Sequence, residues 1–322
     1  MNIAIVAPSP VPFVMGGAES VWLGLQRFIN EATPHHCELF KIPTHENSLK
    51  DLVDAYARFC EVDAKSFDVL ITGKYPAWMT EHHNHKIYML HALRGLYDTY
   101  HFTGEPLGGS WPEALLPVVR NMDLLEAPGR AINPDILPCL QAIQRALDGG
   151  SIDAGAGHFP GPLSRDIVHR LDRLAMAPSR VTRYAAISKT VSKREGDFPC
   201  GADVAVAYPP SSMEGFHCRG DEFLFTASRL DSPKRVGLLI DAMKHVKSGI
   251  RLLIGGTGPE ETRLREQAGG DKRIVFLGRL TEAELLDHYA NALAIPFVPY
   301  DEDYGLITIE AMKSRKPVIT VA

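Results

Sequence analysis

The sequence predicts an α/β protein of two domains, each a parallel sheet wrapped by helices, and three observations carry that expectation. The chain has 322 residues, about twice the ~150 residues of an ordinary domain. Short β-branched runs alternate with helix-periodic stretches along most of it, as parallel βαβ units require. One break interrupts the alternation. The run Tyr208-Pro209-Pro210-Ser211-Ser212 to Gly220 is rich in turn formers, and it places a boundary between residues 1–210 and 211–322.

The elements follow in order. Asn2 to Ala7 reads as a strand, the Pro/Gly stretch through Gly17 as a loop, and Ala18 to Phe28 as a helix with apolar residues at helical spacing. Further strands are expected at Glu38 to Ile42, Asp68 to Thr72 and Lys86 to Leu90. From Tyr100 to Gly161 the pattern loosens into two helices punctuated by glycine pairs. Regularity returns with a helix at Pro162 to Ala175, a strand at Tyr184 to Ile187, a helix after Ser188 and a strand at Asp203 to Ala207. The second domain reads as strands Phe223 to Ala227, Arg251 to Ile254, Ile274 to Leu277, Leu293 to Val298 and Val318 to Val321. Between them lie helices Lys234 to Val246, Pro259 to Gln267, Glu282 to Ala290 and Leu306 to Ser314. That is one doubly wound unit.

Composition bounds the function. The chain is 45% hydrophobic and 23% charged, which excludes disorder and collagen. Its net charge is −5, so nucleic acid is not an expected partner and charge gives no support to a peripheral membrane contact. Five scattered cysteines include no C-x-x-C pair, which suits a cytoplasmic protein. No apolar run approaches the ~18 residues of a membrane span. The uncharged first residues lack a basic n-region, and Pro8, Pro10 and Pro12 break any apolar helix, so no signal peptide is expected.

In doubly wound sheets, ligands gather where strands end and helices begin. Arg229 and Lys234, in Ser228-Arg229-Leu230-Asp231-Ser232-Pro233-Lys234-Arg235, flank such a helix start and could clamp a diphosphate, or could form a solvated basic turn. Gly255-Gly256-Thr257-Gly258-Pro259 allows close backbone approach to a phosphate or base, or makes a tight βα turn; it lacks the G-x-G-x-x-G spacing of NAD sites. Glu302 and Glu310 stand eight residues apart, one in a loop and one on a helix, with Gly305 between them. They can face one cleft, or be a helix-dipole acid and a surface residue. Two further patterns have metal-like content. His82, His83 and His85 beside Glu81 read as a solvated loop, and the triplet Asp301-Glu302-Asp303 is formally D-x-D.

Together these residues resemble the retaining nucleotide-sugar glycosyltransferases of family 4, also called group 1, with the two-domain, Rossmann-like GT-B fold. The resemblance rests on S-R-L-D-S-P-K-R, G-G-T-G-P-E, V-F-L-G-R-L and E-D-Y-G-L-I-T-I-E-A-M-K-S-R-K-P-V-I, and covers nearly all of residues 221–322. It implies that Glu302 lies at the donor sugar, Glu310 binds the nucleotide ribose, and Arg229 and Lys234 bind the donor diphosphate. Gly256, and the backbone at Gly305 and Leu306, would also lie against the donor. In the first domain, Gly16 and Gly17 resemble the family's glycine loop before the first helix, and His91 its histidine at the donor sugar. Ser228 stands where glycine is usual, as does Arg235.

The resemblance implies transfer of a sugar, with retained configuration, from a nucleoside diphosphate sugar to a glycan, lipid-linked or small-molecule acceptor, as in polysaccharide or glycoconjugate biosynthesis. The first domain would take the acceptor and the second the nucleotide, across a cleft. No metal and no cofactor are expected, the nucleotide sugar being a co-substrate. A catalytically silent nucleotide-sugar-binding module is the alternative, and an NAD-dependent dehydrogenase would need the absent glycine fingerprint. Family members continue beyond the position of Ala322, so the second domain is expected to be truncated at its C-terminal end.

Overall fold

The computed structural model describes residues 1–11, 13, 16–126, 135–152 and 155–321; Pro12 and Ala322, used above, lie outside the described residues. The chain forms two compact units, Met1–Pro210 and Ser211–Ala322. Among the described residues no helix is long and apolar enough to cross a membrane. All five cysteines are free.

Unit 1 opens with β1 (Asn2–Pro10), α1 (Gly17–Ala32), β2 (His36–Thr44), α2 (Leu49–Cys60), β3 (Val69–Lys74) and β4 (His85–His91). A 3-10 turn at Ala77–Met79 lies between β3 and β4, and after three more come α3 (Leu116–Glu126), α4 (Leu137–Asp148), α5 (Pro162–Ala175), β5 (Arg183–Ala186), α6 (Lys189–Lys193) and β6 (Val204–Val206). The six strands are parallel, in the order β2-β1-β3-β4-β5-β6. β1 is buried from Ile3 through Pro8's neighbour Ala7, as a parallel strand covered on both faces must be. α2 starts where Ser48 Oγ accepts from the Asp51 N–H at 3.1 Å. Its inner face, Leu52, Tyr56 and Phe59, is fully buried.

A buried carboxylate organises the packing beneath this sheet. Asp172 on α5 accepts from Tyr56 Oη at 2.5 Å, Trp78 Nε1 at 2.8 Å and Tyr97 Oη at 2.7 Å. Burial pushes its carboxyl up to about 6, against the pull of those three donors. His85, expected in a solvated loop, is instead 1% exposed and begins β4, where its Nε2 and Thr72 Oγ1 lie 2.8 Å apart. The reason is period two: His85 shares a face with buried Ile87 and Met89.

Unit 2 comprises β7 (Phe223–Ala227), α7 (Val236–Met243), β8 (Arg251–Gly255), α8 (Glu261–Ala268), β9 (Ile274–Gly278), α9 (Glu282–Asn291), β10 (Ala292–Pro296), α10 (Leu306–Lys313) and β11 (Val318–Ile319). Its parallel sheet runs β11-β10-β7-β8-β9. Alternation builds two cores from one strand: Leu253 packs with Phe225, Tyr289 and Phe297, while Leu252 and Ile254 pack with Leu230, Ile240 and Leu264. α9 starts on a capping box, Thr281 with Glu284.

Several boundaries differ from expectation: β1 runs on to Pro10 and β2 spans His36–Thr44, both longer than expected, and two further differences fall in unit 2. α7 begins at Val236, not Lys234, because Ser232–Lys234 form a 3-10 turn and Arg235 is left-handed at φ 49°. β11 pairs over only two residues, at the sheet edge.

Unit 1 should lose stability in acid. Burial pushes His85 down to about 3 and His169 down to about 4, so in the fold both resist a proton that the unfolded chain accepts below about 6.5. Their contribution is present above that value and is lost as pH falls through the window. Asp172, raised, acts with the opposite sign between 3.8 and about 6, but is one group against two. Urea denaturation should show a net loss on the order of 2 kcal/mol between pH 7 and pH 5. His85→Gln should flatten part of that slope.

Candidate active site

In unit 2 the loops after β7, β8 and β10 lie at the carboxyl ends of their strands. The turn after β7 is stitched to the segment after β10. Tyr300 N–H donates to the Pro233 carbonyl at 2.7 Å, and Arg235 Nε donates to the Val298 carbonyl at 2.8 Å. Lys234 is thereby set beside Glu302, Nζ to Oε2 at 2.6 Å, with its ammonium 5.7 Å from the Phe297 ring centroid. Both side chains are about one-fifth exposed, so solvent can reach the pair.

Glu302 precedes Gly305, which caps α10 at φ 73°. A Cβ at Gly305 would meet Phe297 at 3.3 Å and Glu302 at 3.6 Å, so glycine answers both the conformation and the space. No side chain caps this helix, and while the Thr308 N–H donates to the Gly305 carbonyl at 2.9 Å, the N–H groups of Leu306 and Ile307 head the helix, where an anion is favoured.

Arg229 differs from Lys234. Its side chain is 73% exposed and, among the described residues, forms an ion pair with Asp231 alone, at 3.7 Å. The guanidinium is free to swing toward a ligand at the cost of a weak surface pair. Lys234 ends a 3-10 turn and Arg229 lies just before it, where the start of a helix was expected.

Glu310 is not the surface residue that one reading allowed. Tyr289 Oη donates to its Oε2 at 2.7 Å, and burial raises its carboxyl against the hydrogen bonds of Tyr289 and Ser211. Glu302 and Glu310 thus have separate partners, a lysine for one and hydroxyls for the other. The sequence held no signal for Tyr289, since an aromatic residue at helical spacing reads as core.

The glycines of the β8 loop serve the protein's own packing. A Cβ at Gly256, φ 110°, would stand 1.9 Å from the Ser228 carbonyl oxygen, and one at Gly258 would stand 2.3 Å from that of Leu230. Leu230 N–H donates to Thr257 and Glu260 N–H to Leu230, at 3.0 Å each. The two loops form one backbone-to-backbone layer.

Residues 221–322 match the family model described as Glycosyl transferases group 1. Over that stretch, about a third of the chain, the sequence is similar to a group 1 glycosyltransferase domain. No curated protein sequence matches the chain. Among solved structures, sucrose-phosphate synthase from Thermosynechococcus elongatus is similar with TM-score 0.58 at 14% identity, covering 99% of this chain and 80% of that one. Anabaena Alr3699/HepE, solved with UDP and glucose, is similar with TM-score 0.54 at 14% identity and the same 99% and 80% coverage. The apo form of the lipopolysaccharide outer core galactosyltransferase WaaB gives 0.51, again at 14% identity with 99% and 80% covered. These likenesses show the fold, which is GT-B: two parallel, helix-wrapped sheets, the second of them in the part similar to a group 1 domain.

In unit 1, Gly16 is the N-cap of α1 and Gly17 its first residue, both exposed, with no side-chain cap. His91 ends β4, half-buried, and its Nδ1 donates to the Ala92 carbonyl at 2.6 Å. Among the described residues no three His, Cys, Asp or Glu side chains are arranged to hold a metal ion.

Arg235 gives a stability test for unit 2. Left-handed backbone disfavours an arginine, and its bond to Val298 offsets that cost. Arg235→Ala should therefore destabilise more than Arg235→Gly, by about 1 kcal/mol in urea denaturation.

Proposed function

We propose that the chain transfers a sugar, with retention of anomeric configuration, from a nucleoside diphosphate sugar to a glycan, lipid-linked or small-molecule acceptor, in polysaccharide or glycoconjugate biosynthesis. The Lys234–Glu302 pair beside the uncapped start of α10 carries the reading. It places a cation, a carboxylate and free N–H groups at one strand end of a unit similar to a group 1 domain. That HepE was solved with UDP and glucose supports a uridine or similar nucleotide here.

In this reading the donor diphosphate lies against Lys234, Arg229 and the N–H groups of Leu306 and Ile307. Charge grows on the diphosphate as the glycosidic bond breaks, and a positioned Lys234, joined by Arg229 as it swings in, stabilises that growth. Glu302, released from Lys234, accepts hydroxyls of the donor sugar, and Glu310 accepts those of the ribose. Gly256 and Gly305 keep the backbone close. Unit 1 takes the acceptor, with Gly16 and Gly17 at an uncapped helix start and His91 at the donor sugar.

Lys234→Ala and Arg229→Ala should each lower kcat/KM by roughly 2–4 kcal/mol, about 30- to 1,000-fold. A labelled nucleotide-sugar assay checks this, and binding without turnover in the wild type would mark a silent binding module. Glu310→Ala should weaken nucleotide binding by roughly 1.5–3 kcal/mol in calorimetry, whereas Glu302→Gln should harm turnover more than binding.

Two cations, Lys234 and Arg229, supply the charge a divalent ion would bring to a D-x-D site. EDTA should leave turnover intact, and a loss restored by manganese would make Asp301 and Asp303 ligands instead.

A further inference from the structure

β3 breaks its register at the carboxyl end. Its pairing with β4 runs from Leu70 opposite His85 to Thr72 opposite Ile87, then shifts so that Lys74 stands opposite His91. Gly73 sits at the shift. A Cβ there would meet the Tyr88 carbonyl oxygen at 1.7 Å and the Trp22 ring at 2.8 Å, so no other residue fits without moving backbone. Such irregularities re-aim the neighbouring side chain, and here that side chain is Lys74.

A second lysine is close. Lys41 lies on β2, separated from β3 by β1 alone. Its Nζ donates to the Pro8 carbonyl at 2.5 Å and to Glu19 Oε1 at 3.1 Å. Glu19 is buried in the first turn of α1, and its other oxygen is 3.3 Å from where a Cβ would stand on Gly16. Burial holds the Lys41 ammonium below its usual range, and the like charge of Lys74 adds to that effect. The cluster therefore has two cations and one carboxylate, which Lys41 already occupies. Among the described residues Lys74 pairs with no carboxylate. The residue is half-buried, and its ammonium lies 5.9 Å from the Tyr75 ring centroid.

Two like charges close together repel until an anion joins them. The position, at the strand ends of a parallel sheet, is where such sheets take ligands. The donor diphosphate has its own cations, Arg229 and Lys234, in unit 2. We propose that Lys74, aimed by the Gly73 irregularity and supported by Lys41, binds an oxyanion carried by the acceptor, so that unit 1 selects acceptors bearing a phosphate or carboxylate over neutral ones. The proposal rests on the glycosyl-transfer reading for the word acceptor; the oxyanion site stands on the lysines themselves.

The test uses the whole chain with two probes, inorganic phosphate at constant ionic strength and the nucleotides UDP and GDP. Phosphate should raise the thermal unfolding midpoint of the wild type and of Lys234→Met, because binding to the fold stabilises it. Lys74→Met and Lys74→Gln should lose most of that rise, and Lys74→Arg should keep it. All the Lys74 variants should hold nucleotide affinity within about threefold, under 0.7 kcal/mol, and unfold near the wild-type midpoint without phosphate. A rise that persists in Lys74→Met and Lys74→Gln, or is missing from the wild type, overturns the site. A loss of nucleotide affinity of about tenfold or more in both neutral variants would give the oxyanion to the donor and overturn the acceptor assignment. A wild type that binds neither nucleotide sinks the glycosyl-transfer reading and the acceptor assignment with it, while a phosphate response through Lys74 would still be read separately.

Discussion

The geometry of unit 2 depends on two hydrogen bonds between loops, Tyr300 N–H to the Pro233 carbonyl and Arg235 Nε to the Val298 carbonyl. Lysine and glutamate side chains are long and lose much rotamer freedom when held. A pair between them is useful for positioning only where the backbones are already fixed. Here the backbone is fixed from both sides, since Arg235 closes the 3-10 turn that carries Lys234, and Gly305 turns the chain from Glu302 into α10. The glycine layer of Gly256 and Gly258 holds the Ser228 to Leu230 loop from the third side.

Much of the fold was legible because parallel sheets write themselves plainly. Phe223–Ala227 and Pro162–Ala175 have the boundaries that periodicity and capping predict, since a buried strand needs an unbroken apolar run and a helix can begin at proline. The start of α7 was not legible. Proline at position 233 is compatible with an α-helix or a 3-10 turn, and only the long-range bonds to residues 298 and 300 decide between them. His85 shows the same limit from another direction. Its neighbours in sequence are polar, while its burial comes from the sheet face it shares with Ile87 and Met89.

The candidate site was legible as residue types in order, and less so as contacts. Spacing drew attention to Glu302 and Glu310, but the lysine beside the first and the tyrosine beside the second lie 68 and 21 residues away in sequence. Lys74 escaped attention altogether. A Gly-Lys step at a strand end looks like ordinary solvated punctuation, and its register shift against β4 exists only in three dimensions.

If the donor binds as proposed, the Lys234–Glu302 pair makes its entry into unit 2 an exchange instead of an addition. The incoming group must replace a carboxylate at 2.6 Å, and desolvation leaves little to gain from swapping one such partner for another. A small anion that reaches Lys234 alone is therefore a poor competitor. A longer polyanion that also engages Arg229 and the open end of α10 gains contacts that the internal carboxylate never made. In the proposed donor site the ion pair would work as a filter, screening against the abundant simple phosphates of a cell by making single-point attachment nearly worthless.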